Sequence, residues 1–299
     1  MVRPMHPAVA AAACCLFTAT GMAAQVPAQP GSPDPETPRV LPIHDSVWLE
    51  ELTWLEVRDL MRAGGTTVLI PTGGVEQNGP YLALGKHNVI LRATMDAVAR
   101  RLGDALVAPV VPFVPEGDID PPSGHMRYPG TVSVTQETFA ALLTDIARSM
   151  KAHGFRHVIL LGDSGGNRTG MEAVAAALSE EWAGSGTDIH WIPEYYDNER
   201  WNRWIAERGV HEELEGLHDD VRHSSIMMLV DTALVRAGPR MDAGLFRING
   251  VELAPVDRTL ALARALVAYQ AEVTVHAIRA RIGEGDAPRP RAPSDGPIP

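Results

Sequence analysis

Several short apolar runs of β-type composition recur in the chain, and each empties into a polar loop. Residues 67–71 (Thr-Val-Leu-Ile-Pro) lead into a loop carrying Glu76, Gln77, Asn78, Lys86 and His87. Residues 157–161 lead into Gly162-Asp163-Ser164-Gly165-Gly166-Asn167, and a His-rich patch follows from His218 to His223. Further strand-like runs cover 105–111 and 189–192. Between and after them, apolar residues recur at helical spacing over 54–61, 89–102, 135–153, 169–182, 197–208, 224–236 and 256–282. Strands separated by helices of this length specify right-handed βαβ units. Runs with few polar interruptions suit strands covered on both faces of a parallel sheet. The expected fold is α/β: one domain over 43–282, a sandwich with a mostly parallel central sheet flanked by helices. In such sheets ligands bind beyond the carboxyl ends of the strands, so the polar loops should converge.

The termini differ from this body. Residues 1–24 combine Arg3, an uncharged Ala-rich stretch over 7–21 and small residues at Gly21, Ala23 and Ala24, the pattern of a secretory signal peptide. The apolar stretch is too short for a membrane span. The expected location is therefore the periplasm. Residues 25–42 read as a Pro-rich linker and 283–299 as a disordered Pro-rich tail. Both cysteines, Cys14 and Cys15, fall in the signal segment, which removes disulfides, thiolate ligands and cysteine nucleophiles from the exported chain. A net charge of −11, no long basic run and 5% aromatic residues argue against a nucleic-acid partner and suit a small-molecule substrate.

Residues 162–166 spell the pentapeptide found around the nucleophile of trypsin-like proteases, but between a parallel strand and a helix it lacks the context such a triad needs. The same residues satisfy G-x-S-x-G in a strand–turn–helix setting. Ser164 would then be a nucleophile, with His218 or His223 as base and Asp188, Asp197 or Asp231 as the orienting acid. A serine hydrolase is thus one reading of the residues.

A more specific pattern runs through the chain. Residues 48–53 precede a helix; residues 70–88 follow (Ile-Pro-Thr-Gly-Gly-Val-Glu-Gln-Asn-Gly-Pro through Lys86-His87-Asn88); then come Tyr128-Pro129-Gly130-Thr131, His153-Gly154-Phe155-Arg156 leading into residues 159–167, and His218 to Met227. In order and spacing this resembles the creatininase family of amidohydrolases over nearly all of 43–282. The resemblance implies an α/β hydrolase, often oligomeric, that uses one or two divalent metals, Zn or Mn, to cleave C–N bonds of cyclic or linear amides.

Against the family pattern, Glu76 is kept as a metal ligand and His218 as a proton-transfer residue. Asn78 stands where the family has a ligand His, and His87 where it has the Asp that bridges two metals. Ser164 replaces a His, Gly166 an acid and His223 a Glu. Neutral imidazole offers one lone pair and does not readily bridge two ions, so a copied dinuclear site is not expected. The imidazoles gained at 87 and 223 suggest a rebuilt mononuclear site of Glu76, His87 and His223, with Asp163 as a further ligand or as the group that orients a histidine. Asn78, Lys86, His125 and Tyr128 are the candidate substrate contacts, Lys86 as an anion or oxyanion partner. The competing reading is an inactive binding protein on the same scaffold.

Overall fold

The computed structural model describes residues 31–283. The expected signal segment, 1–24, and the expected tail beyond Gly283 lie outside the described residues. The described residues divide into two units, with the boundary between Pro38 and Arg39. In the first, Asp34 Oδ1 accepts a hydrogen bond from the Glu36 N–H (2.8 Å), closing a local turn. The second carries every described helix and strand. No helix among the described residues is long and apolar enough to cross a membrane.

Strands β1 (Thr67–Thr72), β2 (Ala105–Val107), β3 (His157–Gly162) and β4 (Asp188–Trp191) form one parallel sheet in the order β2-β1-β3-β4. β1 and β3 pair along their full length, from Thr67 opposite His157 to Thr72 opposite Gly162. Every residue of both strands is buried, so at the centre of the sheet neither face meets water. The side chains divide by the two-residue period of a strand. Val68, Ile70, Val158 and Leu160 point to one face, where they share a core with Phe139 and Leu143 of α3 (Gln136–Ala152) and with Met171 and Leu178 of α4 (Arg168–Glu181). Val57, Leu60 and Met61 of α1 (Trp54–Arg62) complete that layer. Leu69, Ile159 and Leu161 point to the other face, against Leu91 and Met95 of α2 (Lys86–Leu102) and Ile278 of α8 (Val256–Ile282). A third cluster joins Trp204 and Ile205 of α5 (Asn198–Ala206), Ile226 and Met227 of α6 (Val221–Val230) and Leu266 of α8, with Ala237 of α7 (Ala237–Asp242) beside them. Trp201 and Trp204 pack on the Tyr269 ring, edge-on at 5.4 Å and stacked at 5.2 Å.

Local chemistry sets the boundaries. Thr53 caps α1 in a capping box: its hydroxyl accepts from the Glu56 N–H, and the Glu56 carboxylate accepts from the Thr53 N–H. The expected strand at 105–111 stops at Val107, because Pro109 and Pro112 cannot donate to a ladder. Val111 returns only as a single bridge to Thr72. Helix α2 begins at Lys86 instead of 89, which puts Lys86 and His87 in its first turn instead of in a loop. Helix α6 begins at Val221 because Asp220 caps it, accepting from the His223 N–H (2.7 Å), and it ends at Val230 instead of 236. A hairpin, β5 (Arg247–Ile248) with β6 (Val251–Glu252), is too short to show periodicity. Its two-residue turn has φ of 49° at Asn249 and 78° at Gly250, the left-handed pair that Asn-Gly supplies in a type I′ turn.

The α3–α4 contact yields a test. Gly170 lies in α4, where Gly→Ala ordinarily stabilises by about 1 kcal/mol. A Cβ there would lie 2.5 Å and 2.8 Å from carbons of the fully buried Phe139 ring. Gly170→Ala is expected to reverse the usual sign and destabilise by about 1–3 kcal/mol, measured by urea or guanidinium unfolding.

Candidate metal centre

The carboxyl ends of β1 and β3 lie side by side, and the loops that leave them are tied together. The Asp163 N–H donates to Thr72 O (3.1 Å), and the fully buried Asn167 amide donates to Thr72 O (3.1 Å) and Gly73 O (2.9 Å). Around this junction a cavity of about 1010 Å³ is lined by the β1 and β3 loops, the first turns of α2 and α6, the loop around residues 115–125 and the segment 210–220.

Glu76 lies at its centre, 2% exposed. Its Oε1 accepts from His87 Nε2 (2.7 Å) and His218 Nε2 (3.0 Å), with Lys86 Nζ at 3.4 Å; its Oε2 lies 3.2 Å from His125 Nε2. Burial alone would raise the Glu76 pKa, but hydrogen bonds from His218 and His87 and the nearby positive charge outweigh it and hold the carboxyl well below the usual range. His218 has φ of 62°, a left-handed conformation that costs a non-glycine residue energy and that aims its ring at Glu76. His87 is gripped at both ends, with Nδ1 2.8 Å from Asp163 Oδ2. Burial and the Lys86 charge oppose its protonation, yet the Asp163 and Glu76 carboxylates prevail and hold its pKa above the ordinary value, as donation from both nitrogens requires. Asp163 is fully buried and also takes Arg222 Nη2 at 3.2 Å. His223 pairs its Nδ1 with Asp220, while its buried Nε2 has no hydrogen-bond partner among the described residues. Burial keeps its pKa low, so the ring is neutral.

The expected ligands thus divide between two triads. Glu76 converges with His125 and His218, and His87 converges with Asp163 and His223; the ligand atoms of each group lie within 4.8 Å of one another. The grouping differs from the expected single Glu76–His87–His223 set, with His87 directing Nε2 to Glu76 and Nδ1 to Asp163. The two triads are not equal hosts for a cation. The Asp163 charge is already matched by the Arg222 guanidinium and the His87 ring. In the Glu76 triad the carboxylate–imidazole separations of 3.0 Å and 3.2 Å approach the roughly 3.3 Å between ligands of a tetrahedral ion with 2.0–2.1 Å bonds. The donor chemistry and spacing of Glu76, His125 and His218 therefore fit a divalent metal.

Other expected contacts fall elsewhere. Asn78 does not line the cavity; its buried amide donates to the carbonyls of Glu76 (2.9 Å) and Ala83 (3.2 Å) and closes the 76–84 loop. Tyr128 is half-exposed and outside the cavity. Lys86 and His125 do line it. Ser164 lines it too, but its φ of −114° and ψ of 144° are ordinary extended backbone without the strain of a nucleophile elbow. No histidine hydrogen-bonds its hydroxyl among the described residues, and its polar neighbour is Glu116. Ser164 is thus not set up as a nucleophile.

Glu116 carries no motif, and Asp220 and Arg222, although inside the 218–227 segment, hold none of the functional positions read from it. For Glu116 the available signal is a lone acid closing the apolar and proline run 105–115. For Asp220 it is the N-cap position before a helical run, with His223 three residues on. Glu116 is 5% exposed. Burial, then the adjacent Glu76 charge, pushes its pKa up to about 9.

The family described as Creatininase: Creatinine amidohydrolase matches residues 50–258. The chain belongs to the creatininase family. It is 31% identical over 116 residues to a creatinine amidohydrolase of Pseudomonas putida, covering 39% of this chain and 44% of that protein. It is 33% identical over 131 residues to a mycofactocin precursor peptide peptidase of Mycolicibacterium smegmatis, covering 42% and 49%. The matches span about half the length of these curated relatives. The fold is that of a crystallised creatinine amidohydrolase, with a TM-score of 0.57 at 23% identity over 82% of this chain and all of that one. Creatininase-fold neighbours have been solved in forms described as Mn and as Zn-Zn.

The Glu116 pKa, raised above an unfolded value near 4.5, has a defined consequence for the metal-free protein. Between pH 4.5 and about 9 the folded state binds more protons than the unfolded state, so this group's contribution is full below pH 4.5 and is lost as pH rises toward 9. Unfolding of chelator-treated protein across that window is expected to show wild type losing stability relative to Glu116→Gln, with a slope of at most about 1.4 kcal/mol per pH unit.

Proposed function

We propose that this chain is a metal-dependent hydrolase of an amide C–N bond, with Glu76, His125 and His218 holding one divalent ion. The convergence of one buried carboxylate and two imidazoles in a large cavity carries this reading. Membership of the creatininase family and the Mn and Zn named for its structural neighbours support it. A cation there supplies two things: a bound water acidic enough to be deprotonated near neutral pH, and polarisation of the amide carbonyl.

The remaining roles fall to the chain's own groups. His87 locks the Glu76 carboxylate in place through Nε2 and is itself held by Asp163. The Lys86 ammonium, buried beside Glu76, is placed to stabilise negative charge developing on the carbonyl oxygen. Burial keeps the His223 imidazole neutral against the pull of Asp220, which fixes its Nδ1 and leaves a lone pair at Nε2 to accept a proton. The cavity volume of about 1010 Å³ is at the upper end for a drug-sized ligand and favours an extended amide over a single small ring.

Metal analysis of purified protein, paired with hydrolysis of an amide and short-peptide panel, tests the reading. Wild type is expected to carry a divalent ion and to lose turnover on chelation. Glu76→Gln, His125→Ala and His218→Ala are expected to lose the ion. His223→Gln is expected to keep it while kcat falls by about 10²–10⁴. Turnover indifferent to chelation, or metal retained in all three ligand variants, would rule the reading out.

A further inference from the structure

A second carboxyl group stands beside Glu76, contributed by a loop that no motif marks. Residue 116 is fixed through both of its peptide groups: its N–H donates to Ser133 Oγ (2.9 Å) and its carbonyl accepts from the His125 N–H (3.0 Å). The loop that presents Glu116 is therefore bonded directly to the backbone of His125. The side chain lines the cavity at 5% exposure, and its Oε1 has no hydrogen-bond partner among the described residues.

Two glycines make room for it. A Cβ on Gly74 would lie 2.2 Å from Glu116 Oε1, and a Cβ on Gly166 would lie 2.2 Å from the carbonyl oxygen of Pro115. Both strand-end loops are thus cut back to backbone where the 115–116 segment enters. A role in packing alone would be met better by an apolar side chain, since a buried carboxyl with an unused oxygen is costly. Beside another carboxylate the cost rises, because, of the nearby positive charges, Lys86 already faces Glu76 and the His87 ring is shared between Glu76 and Asp163. The complement this arrangement lacks is a cation with open coordination positions.

We infer that Glu116 turns to become a further ligand of the ion held by Glu76, His125 and His218, whose ligand atoms converge without it among the described residues, making a site of two carboxylates and two imidazoles. This rests on the reading that a divalent ion binds at Glu76. It assigns to this chain a donor from outside the strand-end loops and the 218–223 patch. A donor set with two carboxylates shifts preference from Zn²⁺ toward harder ions such as Mn²⁺, relative to one carboxylate and two imidazoles.

The test uses full-length protein stripped of metal, dialysed against Zn²⁺ and, separately, titrated with Co²⁺ to record the visible absorption of the bound ion. Glu116→Gln keeps the side-chain shape and removes the donor charge. Its Zn²⁺ affinity is expected to fall at least about a hundredfold, beyond most losses of an outer-sphere partner. Its Co²⁺ spectrum is expected to change, and its metal-free Tm to be no lower than that of wild type. Glu116→Asp, which retains a carboxylate, is expected to recover part of the affinity. Equal affinity and an unchanged Co²⁺ spectrum in Glu116→Gln would overturn the inference and leave the Glu76 site standing. Weaker binding with a lowered metal-free Tm, and Glu116→Asp no better than Glu116→Gln, would overturn it in favour of a structural role. Wild type binding neither ion would overturn the metal reading itself, and this inference with it.

Discussion

A buried, ionised carboxylate must be answered by its surroundings, and Glu76 imposes that requirement on the rest of this protein. Removal from water opposes its charge, so the groups gathered around it are a condition of its presence. His87 and Lys86 arrive from the first turn of α2, His125 from the loop after β2 and His218 from a segment 142 residues away. The sheet order has the same effect. With β1 and β3 paired at its centre, the loop bearing Glu76 and the loop bearing Asp163 leave adjacent strand ends. His87 then links the two loops by hydrogen-bonding a carboxylate from each.

The fold was legible because its signals are local and repeated. Continuous apolar runs in β1 and β3 and helical periodicity in α2, α3, α4 and α8 mark buried parallel strands and their covering helices. Boundaries were less legible where one side chain decides them: Pro109 ends β2, and Asp220 starts α6 three residues early. At the site, Glu76, Lys86, His87 and His125 could be read, since each is polar and lies near a strand end or inside a recognisable motif. Their partners could not. Whether His87 meets a metal or two carboxylates depends on where Asp163 lands, which only the β1–β3 pairing determines. Asn78 looked like a cavity residue because it replaces a ligand of the family, yet its amide turns inward to close its own loop. Ser164 looked like a nucleophile because its flanking glycines match an elbow, but its backbone is unstrained.

Compared with the family pattern, the chain exchanges charge for charge across its site. An imidazole at 87 stands where the pattern has a bridging carboxylate, and it is held cationic by the acids on either side of it. A position that would connect two metal ions instead carries positive charge of its own. The neighbouring Asp163 is neutralised by Arg222 as well, so the inner half of the site is electrostatically complete without an ion. Room for an ion is left at the outer half, around Glu76. A single ion at Glu76, as proposed, is what this distribution of charge favours.

The small hairpin at Asn249 has a consequence for how the cavity can vary. The Asn249 amide donates to Asp219 O (3.0 Å) and Glu212 Oε1 (2.9 Å), while its own oxygens accept from the N–H groups of Glu213 (2.8 Å) and Glu215 (2.9 Å). The roof of the cavity is thereby pinned at both ends to one residue, Asn249, while the floor is set by the loops that leave β1 and β3. The segment between the pins carries the exposed Leu214 and Gly216 and also His218, whose ring hydrogen-bonds Glu76 (3.0 Å), so roof and floor meet at that histidine. A change in the length of this segment would shift His218 against Glu76, so the pins that hold the roof also hold the donor spacing below it.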